Sequence, residues 1–166
     1  MLIRPIEPAD HSALWPVMEQ TVRAGETYAI PMEATADEAI HWWTSGKEAV
    51  FVAEEDGQLL GTYYLRTNQL GNGSHVANAG YLVADAARGK GIARALCAHS
   101  LEEARRRGYL AMQFNFVVET NETAVRLWQK MGFQILTTVP RAFRHPSKGF
   151  VGAHVMWQPL DPPQAI

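Results

Sequence analysis

A fold of the α+β (mixed α/β) class is predicted for this chain by three observations. Segments with apolar residues at helical spacing alternate with short apolar runs, with no internal repeat and no low-complexity tract. Two of those runs flank Asp56-Gly57, an antiparallel hairpin signal. Another ends at Val83 and passes through Gly89 and Gly91 into an alanine-rich helical stretch. With 166 residues, 47% of them hydrophobic, the chain can build one core and is short for two, so one domain over 1–166 is expected.

Each element has a local reason. MLIRPI at the start reads as a strand, and residues 8–25 read as a helix interrupted or bent near Pro16. A second helix over 35–46 has Thr35 or Asp37 available as its cap, and GETYAIPMEA between the two is loop-like. The hairpin over 49–67 and a strand over 75–83 follow. The helix after the glycines, from about Lys90 to Arg107, places Ala93, Leu96, Cys97, Leu101 and Ala104 on one face and Arg94, Glu102, Glu103 and Arg106 off it. Its three closing arginines suit the negative end of the helix dipole, Gly108 suits the stop, and Glu102–Arg106 and Glu103–Arg107 are favourable pairs. Then come a strand over 111–118, a helix over 121–131, and two closing strands, 133–140 and 150–160, joined by a loop.

Composition excludes several functions. With 15 Lys+Arg against 17 Asp+Glu, no broad positive field gathers nucleic acid or an anionic membrane, so any anion is held locally. No apolar run is long enough to span a bilayer or to form a signal peptide, and a single cysteine, Cys97, rules out an intramolecular disulfide framework. A cytoplasmic setting is expected. Cys97, on the apolar stripe, is read as packing rather than as a nucleophile.

A strand that ends in a loop with Gly89 and Gly91 and opens a helix aims unpaired N–H groups at one spot, where Arg88, Lys90 and Arg94 add charge. The spot suits a phosphate, although a tight strand-to-helix turn alone would also explain the glycines. A Walker A loop requires Ser or Thr after its lysine, and Lys90 precedes Gly91; a dinucleotide fingerprint starting at Gly89 requires glycine at Arg94. Arg88-x-x-Gly91-x-Ala93 instead resembles the Q/R-x-x-G-x-G/A acetyl-CoA loop of the GNAT superfamily of N-acetyltransferases. Downstream, NETAVRLWQKMGF is similar to that family's second signature, matching at Asn121, Ala124, Leu127, Gly132 and Phe133. The resemblance implies a mixed, mostly antiparallel sheet flanked by helices and splayed between its fourth and fifth strands, NAGYLV and MQFNFVV.

By that resemblance, acetyl-CoA is the donor. Val83 holds the pantetheine through its backbone, Arg88, Gly89, Lys90, Gly91, Ile92 and Ala93 hold the pyrophosphate, and Asn121 lies near the pantetheine arm. Asn121 also suits a helix N-cap, and the two roles are compatible. Acetyl transfer to an amine needs a route for the ammonium proton, donors for the developing oxyanion and tolerance of a departing thiolate. The family's usual acid, a tyrosine, is replaced by Trp128, whose indole N–H donates hydrogen bonds without useful acidity. For a thiol of pKa about 8.5, expelling thiolate at pH 7 is uphill by only roughly 2 kcal/mol. Asn78 stands where relatives often carry a carboxylate, and its amide orients substrate or water but accepts no proton. Glu26, His75 and His145 remain candidates for the base, alongside a water chain.

The acceptor is less legible. RAGETYAIP resembles the loop that small-molecule and amino-acid acetyltransferases fold over the acceptor, which implies a lid role for Glu26, Thr27 and Tyr28. Arg141, Arg144 and His145 fall in a basic loop from which a guanidinium could clamp a carboxylate, or which is simply solvated. Asn115, between Phe114 and Phe116, is either a satisfied core amide or a substrate contact. The expectation is an acetyl-CoA-dependent N-acetyltransferase acting on a small-molecule amine, an amino acid or analogue, with no metal, no nucleic acid and no membrane partner, and with a homodimer left open. The rivals are a protein N-terminal acetyltransferase and a noncatalytic acyl-CoA-binding module.

Overall fold

A computed structural model describes residues 1–160 of the chain. Seven strands, β1 (Leu2–Pro5), β2 (Ala49–Glu55), β3 (Gln58–Thr67), β4 (Val76–Val83), β5 (Ala111–Val118), β6 (Gln134–His145) and β7 (Gly149–Pro159), form one sheet in the order β1-β2-β3-β4-β5-β7-β6. Every neighbouring pair is antiparallel except β4 and β5. That parallel pair is joined only at Val76 with Ala111 and Ala77 with Met112, after which the strands diverge. The expected splay between the fourth and fifth strands is therefore present.

Among the described residues four α-helices cover the sheet: α1 (His11–Ala24), α2 (Ala36–Thr44), α3 (Ile92–Arg106) and α4 (Glu122–Lys130). Period-two alternation divides the core into two layers, as Tyr63 and Tyr64 illustrate by entering opposite ones. Leu14, Met18 and Trp43 of α1 and α2 pack with Tyr64 and Leu82 on one face. On the other, Leu96 and Cys97 of α3 and Trp128 of α4 pack with Met112, Phe114 and Phe133. Cys97 is buried, and burial pushes its thiol up to about 12, consistent with packing rather than nucleophilic chemistry.

Local signals explain most boundaries. Asp56 and Gly57 both have positive φ, the pair of left-handed residues that a tight two-residue hairpin turn requires. Thr35 caps α2 by accepting from the Glu38 N–H, and the Glu38 carboxylate accepts in return from the Thr35 N–H. Pro16 does not interrupt α1: one helix runs through it and stops at left-handed Gly25. The closing hairpin departs from expectation. Residues 141–145, read as loop, belong to β6, which pairs Phe143 with Val151 and His145 with Gly149 after a register shift between Val139 and Phe143. Pro140 and the interspersed charges hide this strand locally, and its partner β7 supplies the missing pairing.

Candidate active site

The divergence of β4 and β5 opens a cleft of about 710 Å³, bordered by both strands, α4, the start of α3, the α1–α2 loop and the β6–β7 turn. Asn78 sits where the strands part. Its Nδ2 donates to the Gln113 carbonyl at 2.9 Å, the acceptor that the Ala79 N–H would use if the ladder continued by one rung. Its Oδ1 accepts from Arg66 Nε at 3.0 Å. The buried amide thus has both ends engaged and works as a wedge in the sheet.

Beyond that wedge, β4 offers its backbone to the cleft. The Ala84 N–H bonds to Leu60 and the Val76 carbonyl to Asn68, so the antiparallel alternation turns the polar groups of Ala79, Tyr81 and Val83 toward β5. The Tyr28 hydroxyl occupies those of Tyr81, accepting from its N–H and donating to its carbonyl, each at 2.8 Å. Burial raises the Tyr28 pKa, which keeps the phenol proton needed for this double contact. Val83 has no backbone partner on the cleft side among the described residues.

At the end of β4 the chain makes a short 3-10 turn, Asp85–Ala87, and enters the glycine loop. Gly89 and Gly91 have φ of +77° and +79°, and a Cβ added to either would meet nothing within 4 Å. Left-handed backbone explains the glycines, and the space above them is open. The amides of Gly89, Gly91, Ile92 and Ala93 have no backbone acceptor among the described residues. They converge at the positive end of α3, with Lys90 and Arg94 exposed beside them. Arg88 pairs with Asp85 at 3.0 Å and borders the cleft, while the Ile92 side chain turns into the core, leaving only its backbone to the loop. Asn121 caps α4 through Oδ1, which accepts from the Ala124 N–H, and the residue borders the cleft. Trp128 packs against Tyr81 and Phe114, with ring centroids 4.8 and 5.4 Å away, and its indole N–H bonds to no described residue.

The opposite half of the cleft gathers side chains from distant parts of the chain. Glu26, Thr27 and Tyr28 border it from the α1–α2 loop, Arg66 from β3, Asn115 from β5, and His145 and Lys148 from the β6–β7 hairpin. Glu26 Oε1 lies 3.9 Å from His145 Nε2. Thr27 Oγ1 is buried with no hydrogen-bond partner among the described residues. Asn115 is linked to Gln113 and Asn68 in a chain of side-chain amides. Other expected residues lie elsewhere. Arg141, at positive φ, stacks over Phe150 outside the cleft, and Arg144 borders a neighbouring cavity of about 580 Å³. His75 does not border the cleft. Arg66 escaped the sequence reading, although its period-two spacing from Tyr64 was a usable signal. No three His, Cys, Asp or Glu side chains gather as a metal site among the described residues, and no helix there is long and apolar enough to cross a membrane.

Comparison with known proteins identifies this architecture. N-acetyltransferase aca1 of Schizosaccharomyces pombe is 31% identical over 151 residues, covering 81% of this chain and 72% of its own length. A GCN5-related N-acetyltransferase from Kribbella flavida is 47% identical, with a TM-score of 0.88 over 95% of this chain and 96% of that one. A GNAT superfamily phosphinothricin acetyltransferase from Sinorhizobium meliloti, solved in complex with acetyl-CoA, shares the fold at 17% identity, with a TM-score of 0.82 over 99% of this chain and 94% of that one. Residues 15–133, which include both the glycine loop and α4, match the model of the acetyltransferase (GNAT) family. The chain belongs to the GNAT family of acetyltransferases.

Proposed function

We propose that this acetyltransferase moves the acetyl group of acetyl-CoA onto the primary amine of a small molecule, an amino acid or an analogue of one. The observation that carries the acceptor class is Arg66. Its guanidinium borders the cleft, is anchored at Nε by Asn78, and has terminal N–H groups with no partner among the described residues. A guanidinium fixed at one nitrogen with its outer edge free is suited to a carboxylate. Glu26 supplies the opposite charge for an ammonium in the same cleft.

Acetyl-CoA fits the residues on the donor side. The free amides at the start of α3 and the open space above Gly89 and Gly91 suit its pyrophosphate, and Lys90 and Arg94 add charge. The free backbone groups of Val83 and the amide of Asn121 suit the pantetheine arm. When bound, it supplies an acetyl thioester open to attack by an amine. The chain holds that acyl group beside the acceptor, and Trp128 shapes the wall between α4 and the strands. No acid is assigned to Trp128, since an indole releases no proton in the useful range. A cytoplasmic setting goes with this reading, because a lone buried cysteine suits a reducing compartment.

Thiol release from acetyl-CoA, measured with a panel of amino acids, their esters and short peptides with free N-termini, tests the reading. The expected result is turnover of amino acids or analogues above esters and peptides. Arg66→Ala should raise the acceptor KM about tenfold or more for the free acid, with little change for the ester or for acetyl-CoA. Turnover of peptides alone would make the enzyme a protein N-terminal acetyltransferase, and release with none would leave an acyl-CoA-binding module.

A further inference from the structure

We propose that Glu26 is the proton acceptor of the acetyl-transfer reaction and that His145 is the positioning residue that aims it. The inference rests on the reading that an amine acceptor enters the cleft as an ammonium ion. Among the described residues bordering the cleft, Glu26 is the one carboxylate and His145 the one imidazole. The tyrosine-bearing strand β4 supplies no alternative: Asn78 cannot take a proton, and both of its ends are engaged.

The two residues have different environments, and these assign the roles. His145 is 4% exposed, and its Nδ1 accepts from the Ser147 backbone N–H at 3.2 Å, with the Ser147 hydroxyl at 3.3 Å. A backbone N–H can only donate, so the neutral imidazole carries its proton on Nε2, the atom facing Glu26 at 3.9 Å. That ring has no lone pair free on the Glu26 side and cannot itself take the proton there. It can donate toward the carboxylate and limit its rotamers. Glu26, with a side chain 56% exposed, has one edge toward the cleft and can return a proton to water. The other charged and titratable groups that border the cleft are the cations Arg66 on β3, Arg88 before α3 and Lys148 in the β6–β7 turn and the phenols Tyr28, Tyr64 and Tyr81, while Arg144 on β6 borders the neighbouring cavity.

The carboxylate of Glu26 takes one proton from the ammonium, and the freed nitrogen lone pair bonds to the acetyl carbon. The carbon–sulfur bond breaks with its electron pair on sulfur, and the thiolate takes up the nitrogen's second proton. Glu26 returns the first proton to solvent, so amide and free thiol form with one proton released overall.

The test measures kcat/KM for the acceptor across pH in Glu26→Gln, His145→Gln and His145→Phe, with melting temperature and acetyl-CoA affinity confirming that each variant is folded and loads its donor. Glu26→Gln should lower kcat/KM for the acceptor by about a hundredfold or more near neutrality. Its remaining rate should climb with pH as free amine becomes available from solution. His145→Phe should cost about tenfold, and His145→Gln, whose amide N–H can donate in place of Nε2–H, should recover most of that loss. A Glu26→Gln variant within about twofold of the parent across pH would overturn the proposal, as would two His145 variants equally inactive while Glu26→Gln keeps its rate. The comparison runs on whichever acceptor the parent acetylates: a peptide-only acceptor overturns the small-molecule reading above, while the Glu26 effect stands or falls separately.

Discussion

At Gly91 two features favour a residue without a side chain. Its φ of +79° penalises a side chain, and the open space above it is where we propose that the pyrophosphate of acetyl-CoA sits. Gly91→Asp should therefore abolish detectable acetyl-CoA binding in titration calorimetry while the protein stays folded. Unchanged affinity would reduce the loop to a turn. Trp128 poses a different question, because its ring is packed and its N–H has no partner among the described residues. Trp128→Phe should leave turnover within about tenfold, whereas Trp128→Ala should cost about 3–5 kcal/mol of stability and far more activity by hollowing the cleft wall. A thousandfold loss in Trp128→Phe with donor affinity intact would mean that the indole N–H bonds to the transition state.

Among the elements, the β4–β5 junction decides whether there is a cleft at all. One side-chain amide occupies the carbonyl where the next rung would form, and the same amide steadies Arg66. Asn78→Ala leaves the Gln113 carbonyl and the Arg66 Nε without these partners, so a stability loss of about 1–3 kcal/mol is expected. Both the acceptor KM and the donor KM should rise, because the wedge serves both halves of the cleft. An effect on the acceptor alone would show that Asn78 acts only through Arg66. The closing hairpin makes a related point. It brings His145 into the cleft because β6 continues past Pro140, which local propensity does not suggest.

For the molecule as a whole, acid stability is set in part by carboxylates with cationic partners. Glu103 is held down at about 2, first by its hydrogen bond from Arg106 and then by Arg107. The expected partner Glu102 is not used, and Glu103 is 7% exposed beneath the two arginines. A depressed folded pKa contributes stability above the unfolded value of about 4.3, and that contribution is lost as pH falls toward 2. Asp10, lowered by Arg4, adds in the same direction. Glu103→Gln should thus melt lower than the parent at pH 7, with the difference shrinking as pH falls below about 4.3. A difference constant with pH would place its cause in packing instead.

The same molecule shows what a chain says by itself. The turn proposed to hold the donor was legible because Arg88 to Ala93 are contiguous: strand end, left-handed glycines and helix start are local features. Asn121 was legible as a cap for the same reason. The grouping of charged side chains across the cleft was not. Glu26, Arg66 and His145 come from a loop, a strand and a hairpin far apart in the chain, and only sheet register brings them to one cleft. Arg141 looked equally suited to a carboxylate in the sequence, yet a register shift in β6 turns it over Phe150. Residue type and spacing determined the fold class, the family resemblance and the glycine turn into α3. Which charged side chains meet, and which carbonyl Asn78 takes, depended on long-range strand pairing that no local pattern encodes.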